Sequence, residues 1–204
     1  MARTVNPREH AARRQAIVDV AKACFARKGF HQASTAEICA AAGISPGALF
    51  HYVPSKKAII AAIVEQEGAE TAAYFDAAED GDDLYAEVMG FLDLALELAA
   101  DGDFASLTLE IAAEATRDPD IGRLAARNDA ELRARLEGLL DGAARRGQID
   151  PGLPASEAAS CLTMLVDGAF SRVATDPDFH PAEQKGAALL LARRFLRPTH
   201  GEQQ

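Results

Sequence analysis

The sequence predicts an all-α protein of nine helices, and three observations carry that expectation. Aromatic residues make up only 6% of 204 residues, Trp is absent and Ala is abundant. The β-branched runs that feed strands are missing. Apolar residues instead recur at three- and four-residue spacing between Gly, Pro and Asp breaks, as helices require. An apolar content of 49% at this length is enough to bury a substantial core.

The first helix is expected from about Glu9 to Lys28, with Ile17, Ala21, Cys24 and Phe25 on one face and Gly29 as its stop. Ser34 or Thr35 caps a short helix through Ala42, with Glu37 near the capping-box position and Ile38 facing inward; Gly43 ends it. Ser45 followed by Pro46 opens a third helix, which Pro54 limits to about Tyr52. Ser55 caps a fourth that runs from Lys56 toward Phe75 on Ile59, Ile60, Ile63 and Val64, and the acidic stretch Glu79 to Asp83 reads as the turn after it.

Leu84, Val88, Phe91, Ala95 and Leu98 mark the fifth helix, broken at Asp101-Gly102-Asp103; Phe104, Leu107, Ile111 and Ala115 mark the sixth, ending near Asp118-Pro119. A long seventh helix extends from Pro119 toward Arg146, with Ile121, Leu124, Leu132, Leu136, Leu139 and Leu140 buried and its basic end suited to the helix dipole. After a loop from Ile149 to Pro154, two helices over about Ala155 to Thr175 and Ala182 to Leu196 close the chain. The ends Met1 to Pro7 and Arg197 to Gln204 are expected to fray.

Composition excludes several classes of function. The longest non-Gly apolar run is seven residues, Ala58 to Val64, and no apolar segment follows the basic N-terminal residues, so neither a membrane span nor a secretory signal is expected and the chain reads as cytoplasmic. Cys24, Cys39 and Cys161 are widely spaced, as buried free thiols would be. The histidines His10, His31, His51, His180 and His200 form no ExxH, HExxH or HxH pattern, and no GxGxxG, Walker or GxSxG motif is present. No enzyme, metal site or cofactor is therefore expected.

A net charge of -10 argues against a nucleic-acid partner, but the charge is polarised along the chain. Residues 1 to 57 carry nine basic and three acidic side chains, a net +6, and the remaining 147 residues carry -16. A basic head on an acidic body suits a DNA-binding module attached to something else. The two short helices joined by Gly43-Ile44-Ser45 supply the pattern such a module needs: Gly43 permits the reversal, Ile44 plugs between the helices, and Ser45 caps the second. A generic helical hairpin gives the same local signals, and a helical ligand-binding or scaffold protein without operator-specific binding is the rival reading.

The stretch TAEICAAAGISPGALFHYVPSKKAII, Thr35 to Ile60, resembles the N-terminal DNA-binding domain of the TetR family of bacterial transcriptional regulators. Thr35, Ile38, Ala42-Gly43-Ile44-Ser45, Gly47, Leu49, Tyr52, Lys56 and Ile60 fall in register with that family's pattern. Phe50 stands for the usual Tyr, Val53 for the usual Phe, and Ala48 where Thr is often found. The resemblance implies a helix-turn-helix domain over 1–55 and a helical effector-binding and dimerisation domain over 56–204.

It also implies roles. Thr35 and Ser45 would face phosphates, Gly47 would let the duplex come close, Ala48 could touch a thymine methyl, His51 could reach a phosphate or base edge, and Tyr52 and Lys56 would grip the backbone. Arg3, Arg8, Arg13 and Arg14 could supplement these contacts. One short recognition helix makes few contacts, so a homodimer on an inverted-repeat operator in double-stranded DNA is expected. The last two helices are apolar on more than one face, and Leu162, Val166, Phe170, Val173 and Leu190 are the interface candidates. Phe75, Phe91, Leu98, Phe104, Leu107, Thr108, Ile111, Cys161, Leu165 and Asp167 are the candidate lining of a pocket for a small-molecule effector. Asp167 interrupts an apolar helix, where it could meet a cationic ligand, pair with an Arg across the interface, or sit at the bundle rim.

Overall fold

The computed structural model describes residues 7–78 and 81–199, and these fold into nine helices: α1 (Pro7–Gln32), α2 (Thr35–Ala42), α3 (Pro46–Tyr52), α4 (Lys56–Ala78), α5 (Leu84–Ala100), α6 (Gly102–Ala115), α7 (Pro119–Arg145), α8 (Ala155–Thr175) and α9 (Pro181–Leu196). None is long and apolar enough to cross a membrane among the described residues. Most ends fall within two residues of the sequence expectation; α4 runs about a turn further. Among the described residues the chain divides into two compact units, one built from residues up to Glu67 together with Ser106–Ala125, the other from Gly68–Ala105 together with the chain from Ala126 onward.

In the first unit, Ile17, Val18, Cys24 and Phe25 of α1 pack with Ile38, Leu49, Val53, Ile59 and Ile63, and Leu107, Ile111 and Ile121 complete the same core. A seven-residue helix such as α3 has no stability of its own. Leu49 and Val53, both fully buried, fasten it to that core.

The stop at Gly29 takes an unexpected form. Helical turns flank a break at φ 73°, ψ 163°, a conformation essentially confined to glycine, and the bond that Phe30 N–H would make to the Ala26 carbonyl within a continuous helix is lost. Two side chains one turn apart on α6 replace it. Ser106 Oγ donates to the Ala26 carbonyl at 3.0 Å, and a carboxylate oxygen of Glu110 accepts the Phe30 N–H at 2.9 Å. A Cβ at residue 29 would lie 2.7 Å from Glu110, so the break and the clasp fit only around glycine.

The start of α2 is capped by Ser34, which with Glu37 forms a full capping box. Lys28 reaches the same carboxylate, and these contacts hold Glu37 well below the usual carboxylate range, at about 2, the Lys28 hydrogen bond contributing most and those from Ser34 next. A depressed carboxyl gives its stabilisation above its ordinary pKa and loses it as pH falls toward the folded value. Glu37→Gln is therefore expected to flatten the fall of thermal stability between about pH 4.5 and pH 2, with little change in that slope at neutral pH. Thermal melts across that range check this; an unchanged acid limb would remove Glu37 from the account of acid lability.

In the second unit, α5 packs against α8 and α9. Phe75, Leu92, Leu136, Leu140, Leu162 and Leu196 form one core cluster, and Leu96, Ala99, Ala105, Ala169 and Phe170 a smaller one. The expected fraying of Arg197 to Gln204 is corrected in part. Ile149 and Pro198 form a bridge, Thr199 N–H donates to the Gln148 carbonyl at 2.9 Å, and Asp150 N–H donates to the Leu196 carbonyl at 3.1 Å, which ties down 197–199. Pro7 likewise opens α1 and does not fray. Residues 1–6 and 200–204 lie outside the described residues, as do Glu79 and Asp80 of the expected turn.

Candidate nucleic-acid interface

The turn between α2 and α3 is built as its residues dictate. Gly43 takes the left-handed conformation, φ 65° and ψ 32°, and its N–H closes onto the last carbonyls of α2. Ile44 N–H donates to the Cys39 carbonyl at 3.0 Å, and Ser45 Oγ accepts the Ala48 N–H at 3.2 Å as the cap of α3. With Leu49 turned inward, Pro46, Gly47, Phe50 and His51 are left exposed on the opposite side and Ala48 is half-buried.

Of the sequence candidates, Ser45, Gly47, Ala48, His51 and Tyr52 share this helix and its cap. Thr35 stands apart at the first position of α2, half-buried, because Ser34 takes the capping role. Tyr52 is half-buried with its ring centroid 4.8 Å from that of His10, which also lies 5.7 Å from His51. His10 carries no periodicity or motif signal and was not among the sequence candidates. Lys56 is partly turned inward: its Nζ donates to the His31 carbonyl at 3.4 Å and sits 6.0 Å from the Phe25 ring centroid.

The basic excess of the head is smaller in three dimensions than along the sequence. Residues 7–67 and 106–125, which fold as one unit, hold ten basic side chains against nine acidic ones. Lys57 is bound by Asp118 at 2.7 Å and Asp120 at 2.6 Å, pairing that holds both carboxyls below their usual range and raises the lysine. Lys22 faces Glu67 at 3.9 Å and Arg14 faces Glu65 at 4.0 Å. The Arg14 pair is solvent-accessible and therefore weak, whereas Lys22 and Glu67 are both largely buried.

The ten pocket candidates fall in both units. Leu107 and Ile111 belong to the core of the first unit; Phe75, Phe91 and Leu165 pack in the larger cluster of the second, and Leu98 and Phe104 in the smaller. Thr108 and Cys161 are half-buried. Phe75 and Phe91, with ring centroids 5.1 Å apart, join Tyr74 in an aromatic group. Tyr85 packs against the same cluster, and its hydroxyl is buried with no hydrogen-bond partner among the described residues. Tyr85 stands outside the fifth-helix stripe of Leu84, Val88, Phe91, Ala95 and Leu98, and nothing in the periodicity marks it. Asp167 is exposed as a residue while its carboxyl is partly sheltered; burial first, and the nearby Asp129 second, push it above the usual carboxylate range.

The interface candidates also divide. Leu162 is 2% exposed and Phe170 8%, and both pack in the core clusters of the second unit. Val166 and Val173 are half-buried and Leu190 is exposed. The exposed apolar residues on these two helices are Met164, Leu190 and Leu191. Met164 and Leu191 line a groove of about 430 Å³ between α8 and α9, with Leu165, Ala169, Phe179 and Ala188 along it.

Comparison with known proteins agrees with this geometry. Residues 17–63 match the model of bacterial regulatory proteins of the tetR family, and residues 85–198 match the C-terminal domain of BetI-type transcriptional repressors. The chain is 30% identical over 187 residues to the HTH-type transcriptional repressor Rv1474c of Mycobacterium tuberculosis, covering 92% of this chain and 94% of the relative. It is 29% identical to the HTH-type transcriptional regulator UidR of Escherichia coli K12, covering 78% of this chain and 81% of that protein. Salmonella enterica GusR superposes with a TM-score of 0.75 at 25% identity, covering 95% of this chain and 98% of that one. With a helix-turn-helix that exposes α3, an all-helical C-terminal domain and these matches, the chain belongs to the TetR family of bacterial regulatory proteins, which act on transcription by binding DNA and are not enzymes.

Proposed function

We propose that this regulator is a repressor: two copies bind an inverted-repeat operator through residues 1–55, and a small-molecule effector held within 56–204 releases them. The outward face of α3, left free by a short helix anchored from behind through Leu49 and Val53, carries the proposal. A second copy is assigned to the α8–α9 face, where Met164 and Leu191 of the groove, and Leu190 outside its lining, leave apolar surface that a twofold bundle would cover. Selection of bound sequences from random duplexes tests the reading. An enriched inverted repeat is expected; a pool with no enriched sequence would sink it.

Within this reading Ser45, Gly47, Ala48, His51 and Tyr52 meet the duplex, with Thr35 flanking them. Lys56 has hydrogen-bonding capacity left beyond the His31 carbonyl and is assigned to a phosphate. Lys56→Ala is expected to weaken binding to cognate and random duplexes by similar factors and to lower the salt slope by about one unit. An unchanged slope removes Lys56 from the contacts.

For the effector, the Tyr74–Phe75–Phe91 group and the unpartnered Tyr85 hydroxyl, which belong to the same core cluster, support a largely apolar molecule with a hydrogen-bonding group. Asp167 is assigned to a cation, on the ligand or on the partner subunit. Its raised pKa means that ionisation is disfavoured in the folded chain, a cost present above the folded value. Without a cation in place, Asp167→Asn is expected to raise the melting temperature slightly at pH 7. A lowered melting temperature in the unliganded dimer would place the cation on the partner.

A further inference from the structure

The outward face of α3 is chemically unusual for a surface that reads DNA. The helix PGALFHY contains no Arg, Lys, Asn, Gln, Asp or Glu, the side chains that make bidentate or charged contacts to base edges. The exposed residues of α2 add little, since Ala36, Ala40 and Ala41 carry only methyl groups and Glu37 is committed to Ser34 and Lys28. His51 is exposed, but its ring lies edge-on to Tyr52 at 5.1 Å and to His10 at 5.7 Å. What the face does offer is Phe50, 46% exposed in a unit whose other large apolar side chains are all better covered among the described residues.

Gly47 points the same way. It sits one turn before Phe50, on the same side of α3, and a Cβ there would meet only Ser45 Oγ, at 4.0 Å. Gly47 is the second residue of α3 and takes no left-handed conformation, so nothing in the backbone requires glycine here. Its use is clearance for something that approaches from outside, beside the Phe50 ring.

In the major groove the apolar feature that distinguishes one base pair from another is the 5-methyl group of thymine. We infer that Phe50 is the specificity-determining residue of α3 and that it reads the 5-methyl group of a thymine in each operator half-site. The inference rests on the proposed entry of α3 into the major groove. A tyrosine hydroxyl at this position would need a polar partner; the phenyl ring gains by shedding water against the methyl group. The same contact would accept 5-methylcytosine, whose methyl occupies the same place in the groove.

The test replaces each thymine of the selected operator in turn with deoxyuridine, which removes only the methyl group. Wild-type protein is expected to lose about fourfold in affinity at one position per half-site, the factor that burying one methyl group supplies. At that position a 5-methylcytosine–guanine pair should bind better than its unmethylated counterpart. Phe50→Ala, a surface change that should leave the circular dichroism spectrum unaltered, is expected to bind thymine and uracil operators equally, and Phe50→Tyr to keep part of the discrimination. Uracil tolerance at every position in the wild type, or undiminished discrimination in Phe50→Ala, would overturn the inference while leaving the operator reading intact. Failure to recover any preferred sequence would instead remove the operator reading on which it rests.

Discussion

Met164→Glu is expected to convert the dimer into a folded monomer and to reduce operator affinity by about a hundredfold or more. Met164 is 65% exposed within the subunit, so a carboxylate there costs the isolated chain little. Closed into a twofold bundle, the same group would lose its water without a counter-charge, at several kcal/mol per subunit. Uncoupling the two heads also removes the effective concentration that joins two weak half-site contacts into one strong one. Leu190→Glu should act alike. Leu153→Glu, 42% exposed but in the loop before α8, should leave both assembly and binding unchanged. Sedimentation at micromolar concentration separates the outcomes: a Met164→Glu dimer would clear this face of any role in assembly.

The clasp at Gly29 gives the second large effect. Glu110→Ala leaves the Phe30 N–H without its acceptor, and an unsatisfied group in a partly or fully buried setting costs about 1–3 kcal/mol. Ser106→Ala does the same to the Ala26 carbonyl, though less severely, because a carbonyl tolerates undersatisfaction better than an N–H. Both act on the two ends of one missing helical bond, so their effects should be non-additive in a double-mutant cycle. Glu110→Gln keeps an acceptor and should recover much of the loss. Gly29→Ala is expected to be as damaging as Glu110→Ala, since alanine must enter a glycine-only conformation and collide with the Glu110 carboxylate. Hydrogen exchange at the Phe30 amide reads the clasp directly. Unaltered protection in Glu110→Ala would show that the bond contributes nothing.

Local chemistry explains which parts of this were legible in the sequence. The bounds of α3 were readable because Ser45-Pro46 and Pro54 act on their own neighbours, and Gly29 announced a break for the same reason. The clasp was not readable. Ser106 and Glu110 each lie 80 residues from the group they satisfy, and nothing in the periodicity of α6 marks them. The +6 head misled in the same way, because Glu65, Glu67, Asp118 and Asp120 reach its lysines and arginines only in the folded chain. In α8 and α9 the apolar content was plain, but a helix that is apolar on two sides does not say which side meets its own subunit. Leu162 and Phe170 face inward, and Met164 and Leu191 were left outside. The aromatic and aliphatic pocket candidates divide among three core clusters, because helical stripes report burial and not which core a residue joins.

Two copies of α3, held by one twofold dimer, are expected to read two half-sites at a fixed separation. Binding measured on a series of operators, with the half-sites moved apart one base pair at a time and with one half-site deleted, tests this most directly. A single optimum near one helical turn or a multiple of it, about 10 base pairs, is expected, with the lone half-site bound at least about a hundredfold more weakly. Equal affinity for the lone half-site, or indifference to spacing, would contradict it.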